Sequence, residues 1–209
     1  MAAHKTVAAL ALIVTSMPVL SRADLSSAEE LVRQAHAHEA VHEDDLALRR
    51  YTEALTIDPT SVEAWLGLGG LRMRLGEAAE AERVYMTALE RVPSMHRALQ
   101  GRARARWVLG RHSEAEVDLD AYATIELDPG ALRELASWFG ADRRTPAQLA
   151  TWRRLLAFAS ESGDAALERE ARRMVRALVI LVDSADPASS PMDVDATRRA
   201  LAVIARRGG

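Results

Sequence analysis

The strongest constraint on this chain is a spacing. Ala47, Tyr51, Ala54 and Pro59 return as Ala81, Tyr85, Ala88 and Pro93, each 34 residues later. A fixed period of that length marks a row of stacked helical or strand units rather than one closed core. Helices are the units the residues favour. Ala, Leu and Arg dominate, and aromatics make up only 4% of the 209 residues, so the β-branched and aromatic enrichment of strands is missing. Apolar residues reach 49%, enough to bury a sizeable core. The expected fold is all-α: a solenoid of stacked antiparallel helix pairs with additional C-terminal helices.

The copy spanning 62–95 is the most specific. It carries Trp65, Leu68-Gly69, Ala81, Tyr85, Ala88 and Pro93, with Gly76 at the turn between two helices. Small residues let paired helices approach, Trp65, Leu68 and Tyr85 fill the space between them, and Pro93 stops the second helix. This pattern resembles the tetratricopeptide repeat, W-x2-L-G-x2-Y…A-x3-F…P. It departs at Arg72, which stands where an aromatic is expected. A first copy covers 28–61, with Leu31 and Ala35 in the places of Trp65 and Gly69, and Gln34 in place of the Leu. A third, 96–129, keeps Leu99, Ala103, Gly110 and Ala115, and its second helix is expected to end at Leu127-Asp128-Pro129, two residues beyond the period. Residues 24–129 thus form the repeat domain.

Beyond Pro129 the pattern blurs. Residues 130–140 read as a short helix ending at Gly140. Thr145-Pro146 is a helix start, and Leu149, Trp152, Leu155, Leu156 and Ala159 make an apolar stripe. A broad apolar face runs from Leu167 to Leu181. Residues 130–183 are expected to form a degenerate helical hairpin continuing the solenoid. A linker at 184–192 and a last amphipathic helix and tail at 193–209 follow.

The N-terminus reads as an export signal. His4 and Lys5 precede the apolar run Val7 to Val14, and Ser21-Arg22-Ala23 has small residues at the two cleavage positions. The run is too short for a bilayer, which needs ~20 apolar residues. Residues 1–23 are therefore expected to be a signal peptide, cleaved after Ala23. The mature protein would be periplasmic or secreted, with no membrane span. The chain has no cysteine, so disulfides, thiol nucleophiles and a lipid-bearing cysteine are out of reach. A net charge of −3 argues against nucleic acid as a partner.

The resemblance implies a protein or peptide ligand held on the concave face of the first helices. Carried across by phase, that groove comprises Val32, His36 and Glu39; Leu66, Gly70, Met73 and Arg74; and Arg97, Gln100, Arg104, Trp107 and Val108. Residues 24–60 hold nine acids and three arginines, whereas 96–111 hold five arginines and no acid. Such a gradient would orient an extended peptide. Arg97, Arg104 and Trp107 would grip a carboxylate and an apolar side chain. Some members of the family clamp the C-terminal carboxylate of chaperone tails with Lys, Asn and Arg. Only Arg104 matches that set; Val32, His36 and Gln100 depart from it.

One motif points elsewhere. His38-Glu39-Ala40-Val41-His42 matches HExxH, in which two histidines one helical turn apart bind zinc and the glutamate acts as general base. A zinc-dependent hydrolase using His38, His42 and Glu39 is the alternative it raises, and a structural assembly factor of the cell envelope is another. No strand-forming sequence precedes the motif, and the repeat phasing already accounts for its helix. The expectation is therefore a scaffold without enzymatic activity, cofactor or metal.

Overall fold

The computed structural model describes residues 21–185. Within them lie nine α-helices and no strand: α1 (Arg22–Ala40), α2 (Asp44–Ile57), α3 (Val62–Arg74), α4 (Ala78–Arg91), α5 (His96–Val108), α6 (His112–Ile125), α7 (Pro129–Ala141), α8 (Thr145–Ser162) and α9 (Ala165–Ala185). The apolar run of the leader and the expected helix at 193–209 fall outside the described residues.

Helix starts follow the period. Those of α2, α4 and α6 fall at Asp44, Ala78 and His112, and those of α3 and α5 at Val62 and His96. The helices after Pro129 come one residue early, because α7 starts at Pro129 and α8 at Thr145. Four hairpins result: α1–α2, α3–α4, α5–α6 and α7–α8. The stretch 130–183 holds three helices, with α7 and α8 as a fourth pair and α9 packed against α8.

Each helix packs on its successor, and α1 also touches α3, as α3 touches α5. The second helices make no comparable approach to one another. A stack that brings its first helices together and splays its second helices curves with the first helices inside, which makes α1, α3 and α5 the concave wall.

The turn inside each hairpin needs one left-handed residue. Gly76 and Gly110 supply it, both at φ 77°, and His42 (φ 60°) and Arg143 (φ 56°) occupy the same place in the first and fourth hairpins. The end of the third repeat also differs from expectation. Helix α6 stops at Ile125, on the period rather than beyond it. Pro129 ends nothing: it is the first-turn proline of α7, behind an N-cap from Asp128 to the Gly130 amide at 2.7 Å. At the other end, Ser21 and Asp24 form a reciprocal capping box on α1. The expected cleavage point after Ala23 therefore lies in the first turn of α1.

Buried side chains group into three cores. One joins the first two hairpins around Tyr51, Leu68 and Leu71. A small one between α4 and α5 is mostly alanine. The largest, around Leu119, Leu135, Trp138, Trp152 and Leu155, runs from α5 to α9 and is closed by Leu167, Ala171 and Leu178. Helix α9 thus spends its apolar stripe on the last hairpin, as the end of a repeat array requires.

Candidate functional site

The concave wall is built by a tyrosine from one hairpin lying over a glycine of the next. Tyr51, at the middle of α2, is fully buried, and a Cβ added to Gly67 would stand 2.4 Å from its ring. Tyr85 is wedged between Gly69 of its own hairpin and Gly101 of the next, where added Cβ atoms would stand 2.5 and 2.3 Å away. Any side chain at Gly67 or Gly101 would push the tyrosine out. The next junction changes both partners: Leu119 takes the tyrosine's place and Glu134 the glycine's.

Between these joints the predicted groove residues divide sharply. Gly70 faces open space, with nothing within 4 Å of a Cβ built there. His36 and Arg104 occupy the same register on α1 and α5, and both are exposed. Nδ1 of His36 lies 2.9 Å from the Tyr51 hydroxyl. Glu39 is mostly buried and receives a hydrogen bond from Arg74 at Oε2, 2.6 Å, while its Oε1 is buried without a hydrogen-bond partner. Burial first, and then the Glu39 carboxylate, hold the Tyr51 phenol protonated well above the ordinary tyrosine range. Leu66 and Met73 pack on the alanine-rich core, with Gln100 half-buried beside them in sequence register. Val32 is buried in the first core and leaves the wall.

The arginine-rich segment is not the free basic patch its sequence suggests. Arg102 holds Asp118 through two bonds of 2.7 Å. Arg106 reaches Asp118 at 2.8 Å, Glu82 at 3.0 Å and Glu114 at 3.4 Å. Arg111 binds Glu82 at 2.8 Å. Arg104 makes a two-pronged pair with Glu134 of α7, both arms 2.8 Å. Only Arg97 of the five has no ion pair with the described residues. It stays exposed, and its charge acts on the phenols of Tyr85 and Tyr122. The acids that meet this segment lie 8 to 30 residues away, all but Glu114 at least 12, so a charge count confined to the segment could not register them. One signal was available. Glu82 and Glu116 are 34 residues apart, a phase-locked acid on the buried side of α4 and α6, and Glu116 is bound by Arg144 just as Glu82 is by Arg111.

Trp107 is also removed from the grip proposed for it. Its ring stacks on His112 (centroids 3.9 Å, 16°) and on Trp138 (4.4 Å, 8°). Two such rings cannot fit side by side on one face of an indole, so both faces are covered. His112 is steadied in turn by Asp142 at 3.0 Å. The stack ties α5, α6 and α7 together, leaving Val108 exposed at the end of α5.

The HExxH residues do not form one helical face. Helix α1 ends at Ala40, and His42 is the left-handed turn residue beyond it. Nδ1 of His38 pairs with Glu43 at 2.6 Å, and Glu39 turns to Arg74. Among the described residues no group of three or more His, Asp or Glu is arranged to hold a metal ion. On the convex side a shallow cavity of about 320 Å³ lies between α6, α7 and α8, over Leu135 and Phe139. Its polar rim, Glu116, Asp120 and Arg154, is already paired.

A family profile described as tetratricopeptide repeat matches residues 45–104. Three hairpins keep the 34-residue register, the fourth follows one residue early, and a tyrosine-on-glycine joint links the first three. The chain is a tetratricopeptide-repeat protein. Solved structures agree on the fold. The first such domain of Spaghetti (RPAP3), bound to the HSP90 peptide SRMEEVD, is 24% identical with a TM-score of 0.52, over 56% of this chain and 93% of its own. Pseudomonas aeruginosa pilF is 14% identical with a TM-score of 0.55, over 74% and 78%. MamA is 15% identical with a TM-score of 0.55, over 79% and 97%. No curated protein matches the sequence. A tetratricopeptide-repeat fold is that of a protein-interaction scaffold, and such proteins are generally not enzymes. No described helix is long and apolar enough to cross a membrane.

Proposed function

We propose that this tetratricopeptide-repeat protein binds an extended peptide or a partner helix along the wall formed by α1, α3 and α5. One observation carries the reading. Gly70 opens the middle of the wall onto free space, and at the start of α5 Arg97 stands exposed, with no ion pair to the described residues. Elsewhere on α3 and α5 arginines are taken up by carboxylates, Arg74 by Glu39 and Arg104 by Glu134 across hairpins and Arg102 by Asp118 within one. An arginine left without a carboxylate on that wall is a place for a ligand's acid or carbonyl. The RPAP3 domain, of the same fold, is seen with a bound peptide. His36, Leu66 and Met73 lie along the rest of the path, and Arg97 replaces the trio of Arg97, Arg104 and Trp107 as the first residue to test.

The leader sequence supports export to the periplasm or beyond as part of this proposal. The test is a pull-down from a cell-envelope extract with wild type and an Arg97→Glu, Gly70→Gln double variant. The variant is expected to lose partners that wild type recovers, and equal recovery sinks the groove. Mass analysis of the N-terminus of envelope-fraction protein tests export separately: a chain still starting at Met1 overturns it.

A further inference from the structure

The first repeat holds a small polar chain that the groove reading leaves unused. The His36 imidazole meets the Tyr51 phenol, and the Glu39 carboxylate lies near enough to help raise that phenol's pKa. The His36 and Tyr51 rings cross edge to face, centroids 5.6 Å apart at 83°, with Nδ1 and the hydroxyl 2.9 Å apart. Arg74 occupies one oxygen of Glu39, and the other is buried with no donor. The phenol has one proton and two neighbours that could take it.

The energetics decide between them. A buried acceptor left without a donor loses about 1–3 kcal/mol, more when it carries charge. An O–H donated to a carboxylate is roughly twice as strong as one donated to a neutral group. The imidazole has an alternative that the carboxylate lacks: it can carry its own proton on Nδ1 and donate it, because a hydroxyl oxygen accepts as well as donates. The nitrogen that engages in such a bond fixes the tautomer, and the other nitrogen takes the opposite role.

We propose that the Tyr51 hydroxyl donates to the orphan Oε1 of Glu39, that its oxygen accepts from His36 Nδ1–H, and that Nε2 of His36 is thereby fixed as a hydrogen-bond acceptor facing the groove. Its partner is an N–H or O–H donor of the ligand, such as a peptide amide or a lysine ammonium, and not a carboxylate. Nε2 has no partner among the described residues, and His36 shares its register with Gly70, which opens onto the wall's free space. Surplus acid in the first repeat, nine acids against three arginines over 24–60, favours the same kind of ligand group. At this point the groove selects for donors, whereas Arg97, two hairpins on, selects for acceptors.

The ligand half of this proposal rests on the groove reading; the proton arrangement does not. Nitrogen-detected NMR of full-length protein in mildly alkaline buffer reads the tautomer directly. The expected result is protonated Nδ1 at His36, assigned with a His36→Asn variant, and a shift towards the Nε2–H form in Tyr51→Phe. An Nε2–H tautomer in the wild type overturns the assignment whether or not either variant folds. For the ligand, peptides selected from a displayed random library on wild type are measured again on His36→Asn. The Asn amide reproduces the Nδ1 donor and offers nothing at Nε2. Affinity is expected to fall about tenfold, one lost hydrogen bond. Equal affinity overturns the acceptor role. A library that yields no binder overturns the groove reading and the ligand half with it, and leaves the NMR result standing.

Discussion

The first and second junctions of the solenoid solve one packing problem with opposite materials. Leu48, on α2, packs half-buried into the first apolar core together with Val84. One period later the same register holds Glu82, which is 5% exposed and bound by Arg106 and Arg111. Val84 gives way to Asp118, 4% exposed and bound by Arg102 and Arg106. The backbones superimpose in register while the contents change from hydrocarbon to ion pairs. Arginine stands at the aromatic's place in both junctions, but Arg72 pairs with Glu77 of its own turn, whereas Arg106 is more deeply buried and meets Glu82 and Asp118. A guanidinium there cannot be buried without carboxylates to meet it. The geometry of the joint is therefore set by helix spacing and small residues, and the filling is free to vary provided that it is internally matched.

That comparison breaks most visibly at Asp118. Asp118→Ala strands Arg102, leaves Arg106 to Glu82 and Glu114, and is expected to lose about 3–5 kcal/mol in denaturant unfolding, the cost of leaving a buried charge unpaired. Leu48→Ala at the apolar junction is expected to lose about 2 kcal/mol, less than for a fully buried leucine. Equal losses would show that the ionic junction is no more brittle than the apolar one.

The next effect separates glycines that look alike in sequence. Gly101→Ala and Gly67→Ala drive a Cβ into Tyr85 and Tyr51 and are expected to destabilise by about 1–3 kcal/mol. Gly70→Ala, with open space above it, is expected to gain about 0.5–1 kcal/mol through helix propensity. Thermal midpoints check both signs; three similar shifts would remove the wedge from the account of the joints.

The smallest effect concerns the hairpin turns. His42→Gly and Arg143→Gly relieve a left-handed backbone and are expected to stabilise by roughly 1 kcal/mol each. If His42→Gly destabilises instead, the histidine has a role beyond the turn.

The array of helix pairs was legible wherever the period-marking residues survive. Ala81, Tyr85, Ala88 and Pro93 placed the second repeat, and the same set placed the first. The fourth was hidden because its markers are gone: Arg143 turns its hairpin where glycine is expected, and Pro129 opens a helix where the repeat pattern calls for a stop. Of the groove, the register was readable and the occupancy was not. Val32 turns inward, Trp107 is sealed between His112 and Trp138, and Arg104 is committed to Glu134. Glu134 and Trp138 lie about a repeat away from the residues they engage, beyond the reach of a local pattern.

The tyrosine-on-glycine joint has a consequence for descent. Tyr51 and Gly67, like Tyr85 and Gly101, belong to different repeats, so a duplicated copy of one repeat carries half of each lock and must find the other half in its new neighbour. Where the tyrosine has shrunk to Leu119, its glycine has been free to become Glu134, and Arg104 has gained a partner. The heritable module of this array is thus the joint rather than the repeat, and sequences related to this one should change the two members of each joint together.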